Sequence, residues 1–164
     1  MTKPESRTRE LGIHMLGLAI FLIITFGIAA LGARVQPGDW YAQLAKPAWT
    51  PPGWLFGPVW TLLYAAMAVA AWMVWKERGL KAGMIPLSAY AVQLLLNGLW
   101  SWLFFGRRLI GWAVVDIFCL LVAILVTLLL FRQVRPAAGW LLTPYLLWVG
   151  FASILNFQIW RLNR

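Results

Sequence analysis

Five long apolar runs, at residues 11–33, 58–75, 83–105, 109–131 and 139–160, constrain this chain more than any other feature. A helix needs about twenty such residues to cross the hydrocarbon core of a bilayer. Each run is bounded by charge or by turn formers: Arg34 with Pro37 and Gly38, then 76–79, then Arg107 with Arg108, then 132–136. In lipid, backbone N–H and C=O groups must find partners within the chain, so the runs are expected to be helices. A membrane β-barrel would show short alternating segments, and the unbroken run 117–131 does not alternate. The expected fold class is an all-α integral membrane protein, a bundle of five transmembrane helices with a structured loop between the first and second.

Composition excludes the soluble alternative. Of the 164 residues 62% are hydrophobic and only 12% charged, too few charges to coat a water-soluble globule of this size. A net charge of +9 would raise nucleic acid as a partner in a soluble protein. Here the basic residues sit in short clusters between apolar runs, where they face lipid headgroups, so no nucleic-acid partner is expected. The first run is long enough to span rather than to serve as a signal core, and it is kept as a membrane helix. The chain divides into a charged tail, 1–10, and one five-helix membrane domain, 11–164. More basic residues fall on the N-terminal side (Lys3, Arg7, Arg9, Lys76, Arg78, Lys81, Arg132, Arg135) than on the other (Arg34, Lys46, Arg107, Arg108, Arg161, Arg164). That asymmetry leans toward a cytoplasmic N-terminus.

The one long connection holds residues 46–64, with prolines at 47, 51 and 52 and tryptophans at 49 and 54, leading through Pro58 to Trp60 and Tyr64. Prolines fix backbone torsions, and so much aromatic surface gains free energy only when buried. A stiff lid across the mouth of a pocket is expected. Before it, 39–44 is expected to make a helical turn begun at Pro37-Gly38-Asp39.

Polar side chains inside the spans are informative because lipid burial is costly. Gln93, Asn97 and Ser101 recur every four residues beside Trp100 and Phe104, which places them on one helix face. Interhelical hydrogen bonding accounts for such a stripe; so does a cavity wall in which Asn97 offers a directional bond to a ligand. Trp60 and Tyr64 lie one turn apart, and Tyr145, Trp148, Ala152 and Asn156 share a face of the last span. Trp60, Trp100 and Trp148 are candidates for an interior pocket, whereas Trp72, Trp75, Trp112, Trp140 and Trp160 fit interfacial anchors. Asp116, the acid inside a span, should point inward, with a structural role, as for Gln93 and Asn156. One histidine (His14) and one cysteine (Cys119), both in apolar runs, supply neither a metal cluster nor a nucleophile–base set. No catalytic residue is assigned on chemical grounds.

These residues resemble a known family. Asp39-Trp40-Tyr41, Lys46-Pro47, Trp49-Thr50-Pro51-Pro52, Gly57-Pro58-Val59-Trp60-Thr61-Leu62-Leu63-Tyr64, Gln93 to Asn97 with Trp100-Ser101, and Leu155-Asn156-Phe157 with Trp160 are similar to the TspO/MBR family, the tryptophan-rich sensory or translocator proteins once called peripheral benzodiazepine receptors. The likeness runs from Leu11 to the end of the chain. It implies a multi-pass protein of a bacterial cell membrane or outer membrane, commonly a homodimer, with a pocket under the first loop. By motif, that pocket would be lined by Tyr41, Trp49, Trp60, Asn97, Trp100 and Trp148. The ligands implied are porphyrins such as protoporphyrin IX, sterols and benzodiazepine-type drugs. No intrinsic cofactor is implied; porphyrin is a ligand. The resemblance also carries an alternative, light-dependent oxidative breakdown of protoporphyrin IX, with Trp60 and Trp148 as the candidate residues. Two departures stand out. Phe157 replaces the tyrosine of the family's sterol motif, and the third span lacks the small residues spaced by four that join some bacterial dimers.

Overall fold

The computed structural model describes residues 4–35 and 38–164. Lys3 and Pro37, which entered the expectations above, lie outside the described residues. Among the described residues six α-helices follow in order: α1 (Pro4–Ala33), α2 (Asp39–Gln43), α3 (Gly53–Ala82), α4 (Met84–Ser101), α5 (Ile110–Val134) and α6 (Pro136–Leu162). The described residues contain no strand. α1 reaches back to Pro4 and so takes in most of the segment read as a tail. α2 is the helical turn expected before the loop.

Among the described residues, four helical stretches are long and apolar enough to cross a membrane: Thr8–Ala33, Gly53–Ala82, Ile110–Val134 and Pro136–Leu162. α4 is not among them. Gln93 and Asn97 interrupt its apolar run, and its α-helical part stops at Ser101. The molecule is thus an all-α membrane protein, and the expected count of five crossings is met at four.

Helix ends follow local chemistry. α3 starts at Gly53, five residues earlier than the sequence suggested, because Pro52 caps it in an extended conformation and the interior Pro58 is accommodated. The regular part of α3 breaks at Gly79, whose φ of 65° lies in the left-handed region that only glycine enters freely. Gly83 completes the turn into α4, packed so tightly that a Cβ would stand 2.5 Å from the Gly79 carbonyl oxygen. α4 runs on into a π-helical turn, Trp102–Gly106, in which the Arg107 N–H donates to the Trp102 carbonyl at 2.8 Å. Arg108 then turns the chain into α5 with φ 56°. Pro136 occupies the first turn of α6, where its missing N–H costs nothing.

The long helices form a closed ring in the order α1, α3, α6, α5, α4, with α3 also touching α4 and α5 across the middle. Ala68, Ala70 and Ala71 on α3 are fully buried and let backbones approach closely. Ile117, Leu120, Ile124, Leu142, Tyr145 and Val149 complete this core. α1 is peripheral: 11% of its apolar window is buried against 44% for α5. It is keyed to α3 at Gly17, where an added Cβ would sit 2.2 Å from the Trp75 ring. Trp72 donates its indole N–H to the His14 carbonyl at 2.8 Å. Trp72 and Trp75 are therefore interhelical contacts rather than interfacial anchors, because α1 covers them. Trp112 and Trp140, at 67% and 59% exposure, remain free to face the membrane.

Candidate ligand-binding site

Antiparallel succession puts the α1–α3 loop, the π-helical turn and the end of α6 at one end of the bundle. The loop does not hang free. Asn163 clasps it: the Ala45 N–H donates to Asn163 Oδ1 at 3.0 Å, and Asn163 Nδ2 donates to the Ala45 carbonyl at 2.9 Å. Tyr41 meets Phe105 and Phe104 edge-on at 5.5 and 6.0 Å between ring centres, and Trp49 meets Phe151 at 5.7 Å. Lys46 donates to the Ala42 and Leu44 carbonyls, both at 3.1 Å, and lies 4.7 Å over the Tyr41 ring. Thr50 Oγ1 donates to the Pro47 carbonyl at 2.7 Å. Burial pushes the pKa of the Tyr41 hydroxyl above its ordinary value, so the hydroxyl stays neutral where the loop docks.

Beneath the loop, α3, α4 and α6 meet in a polar chain. Tyr64 donates to Asn97 Oδ1, and Asn97 Nδ2 donates to the Tyr145 hydroxyl at 2.9 Å. Trp60 covers this chain, with its ring 5.5 Å from Tyr64 and 6.1 Å from Tyr145. Trp148 packs against the same core as Trp60 and Tyr145, and its ring meets Phe56 and Phe151, each at 5.7 Å. Phe151 in turn meets Trp49, so Trp148 stands between the core that holds Trp60 and the loop.

Tyr41 belongs to the adjoining cluster around Phe104, against which Phe56 and Phe151 also pack, and Trp100 borders both clusters. Tyr41 and Trp100 rest on Phe104, with Trp100 stacked at 5.2 Å. Trp100 Nε1 donates to Asn156 Oδ1 at 2.8 Å, and Asn156 Nδ2 reaches the Ile110 carbonyl at 3.5 Å. That line ties α4 to α6 and α5. Gln93 is buried and donates to Met67 Sδ at 3.7 Å. Asp116 is buried at 6% exposure. Gln93 Oε1, Asp116 Oδ2 and Trp148 Nε1 have no hydrogen-bond partner among the described residues.

Under the loop the rings just described stand in contact with one another. Surface concavities of the described residues lie beside Leu80, Met84 and Ser88 and beside Arg108, Trp112 and Trp160. Asn97 is not a free anchor, because both ends of its amide already serve tyrosines. Phe56, Phe105 and Phe151 are the site residues that sequence reasoning passed over. Helical spacing marks two of them: Phe56 precedes Trp60 by one turn, and Phe151 follows Trp148 by three residues. Asn163 closes the run Leu155-Asn156-Phe157…Trp160…Asn163 that resembles the family, but no spacing marks its partner, 118 positions away. Among the described residues no group of His, Cys, Asp or Glu gathers to hold a metal.

Comparison with known proteins places this architecture. Residues 17–161 match the model of the TspO/MBR family. The translocator protein of Bos taurus is 45% identical over 139 residues, covering 82% of each chain. The tryptophan-rich protein TspO of Chlorobaculum tepidum is 42% identical over 156 residues, 92% of this chain and 97% of that one. The tryptophan-rich sensory protein of Cereibacter sphaeroides is 38% identical over 143 residues, 87% and 89% of the two chains. With the family model spanning most of its length and these relatives matched nearly end to end, the chain belongs to the TspO/MBR family.

Proposed function

We propose that this chain is a membrane receptor or sensor, able to serve as a transporter, for porphyrins and other flat apolar molecules taken between the aromatic side chains beneath the first loop. The observation that carries this reading is the Tyr64–Asn97–Tyr145 chain, a directional polar line inside a layer built of Trp60, Trp148, Phe56 and Phe151. A planar ligand enters by parting those rings. Each ring pair contributes about 0.5–1.5 kcal/mol beyond area burial, a cost that stacking on the ligand's larger face offsets. Trp148 Nε1, a buried donor without an acceptor among the described residues, gives such a ligand one polar contact that breaks no existing bond. α4 with its π-helical extension serves as the fifth crossing, in a bacterial cell membrane or outer membrane. Two copies associate as a homodimer, and the absent tyrosine at Phe157 argues against tight sterol binding.

The test is titration of protoporphyrin IX into the purified protein, followed by quenching of tryptophan fluorescence. Trp60→Ala should weaken binding by about tenfold, the loss of roughly one stacked ring, and Asn97→Ala should weaken it by leaving the Tyr64 and Tyr145 hydroxyls without the partner that sets their positions. Quenching that is unchanged in both variants removes the reading. A second reading, oxidative degradation of protoporphyrin IX under illumination, draws support from Trp60 and Trp148 flanking the same polar chain. Trp60→Phe with Trp148→Phe should then abolish product while binding persists; product at the unaltered rate rules these residues out.

A further inference from the structure

We propose that the groove between the start of α5 and the end of α6 seats the headgroup of one anionic phospholipid. The groove encloses about 490 Å³ and is lined by Arg108, Gly111, Trp112, Trp160 and Arg164, among others. It is separate from the aromatic layer under the loop, whose residues do not line it. Gly111 shapes its floor: a Cβ there would stand 3.0 Å from Trp160 Nε1, so the bare backbone lets the indole lie close against α5.

Both guanidinium groups are held at the rim by aromatic faces. Arg164 lies 5.2 Å from the Trp160 ring centre and Arg108 lies 5.6 Å from that of Trp40. Stacking of this kind occupies the flat face of a guanidinium and leaves its N–H edge for an acceptor. Among the described residues neither arginine is in ion-pair range of a carboxylate, and the ion pair is Arg135 with Glu77, at the opposite end of the bundle. Arg108 is directed by an uncommon backbone, φ 56°, at the corner between the π-helical turn and α5.

Charge complementarity selects an anion, and the surroundings select an anion that carries acyl chains. From the groove, Trp112, Val115, Phe118 and Val122 descend the outer side of α5 at helical spacing, 67%, 54%, 48% and 62% exposed. A phosphate on the two arginines would leave its acyl chains along that stripe, and the tryptophans bordering the groove suit the headgroup depth. A zwitterionic lipid brings the same chains without net negative charge, so it competes poorly.

The experiment is native mass spectrometry of the full chain from micelles containing equal amounts of dioleoyl-phosphatidylglycerol and dioleoyl-phosphatidylcholine. One phosphatidylglycerol should be retained in preference. Arg108→Gln with Arg164→Gln should weaken its retention about 30-fold, roughly two surface cation contacts of about 1 kcal/mol each. Arg164→Gln alone, at the exposed end of the chain and without consequence for folding, should weaken it about fivefold. Arg107→Gln with Arg161→Gln removes the same charge from the same end outside the groove, and should stay within about threefold of the unaltered protein. Equal retention of phosphatidylcholine, or an equal loss in that control pair, overturns the assignment in favour of diffuse attraction.

Discussion

Asn163→Ala should release the first loop without dissolving the bundle. The side chain exchanges two hydrogen bonds with Ala45, at 3.0 and 2.9 Å, and makes a third to the Ile159 carbonyl at 2.8 Å within its own helix. Only the first two join the loop to α6. A protein hydrogen bond contributes about 1 kcal/mol net, less where water can replace the partner, and this pair lies at an exposed site. The pair is therefore worth about 1–2 kcal/mol, and 1.4 kcal/mol is a factor of ten in an opening equilibrium. The ring contacts of Tyr41 with Phe104 and Phe105, and of Trp49 with Phe151, persist, so the loop opens more often but still closes. Hydrogen exchange at the Ala45 amide should accelerate about tenfold, while amides in the middle of α3 and α6 keep their protection. Asn163→Asp keeps the acceptor for the Ala45 N–H and loses the donor to its carbonyl, so it should fall between. Unchanged exchange at Ala45 would show that the rings alone hold the loop. Acceleration throughout α6 would show that Asn163 sustains the helix end instead.

Three further outcomes follow from the packing. Asn97→Leu leaves the Tyr64 and Tyr145 hydroxyls buried without their partner and should lower stability by about 2–5 kcal/mol; adding Tyr64→Phe and Tyr145→Phe should recover much of the loss, as read by thermal denaturation in detergent. Gly17→Ala drives a methyl into the Trp75 ring at 2.2 Å and should cost about 1–3 kcal/mol by overpacking, whereas Gly12→Ala, with nothing within 4 Å, should leave stability unchanged in the same assay. Five crossings put the two chain ends on opposite faces of the membrane; reporter fusions at each end that register the same compartment would exclude α4 as a crossing.

Apolar runs and their polar punctuation made the helices legible before any coordinates, since lipid enforces helicity wherever such a run crosses it. Pro58 misled the start of α3: a proline forbids an N–H donor but does not forbid a helix already begun at Gly53. The loop's rigidity was readable from Pro47, Pro51 and Pro52, yet its clasp was not, because Asn163 and Ala45 carry no mutual signal in sequence. Trp60, Asn97 and Trp148 stood out by residue type and spacing. The place of Trp100 between two clusters did not, because it depends on which helices pack against α4. Trp72 and Trp75 looked like anchors because position along a helix says nothing about whether a neighbouring helix covers it. The π-helical turn was invisible for a similar reason: no residue type prescribes it.

That turn has a consequence for how the chain tolerates changes of length. A π-helical turn holds one residue more than a regular one, so the segment 102–106 stores a spare position. Deleting a residue there would let the helix tighten without a break, and an indel elsewhere in α4 would have no such slack. A deletion in the regular part of α4 would instead swing everything beyond it by about 100° and draw it back about 1.5 Å. Arg108 would then leave Trp40, and Phe104 would turn from the rings of Tyr41 and Trp100. The surplus residue thus lets the basic rim and the aromatic seat keep their phase through a one-residue loss inside 102–106, where the same loss one turn earlier would set them apart.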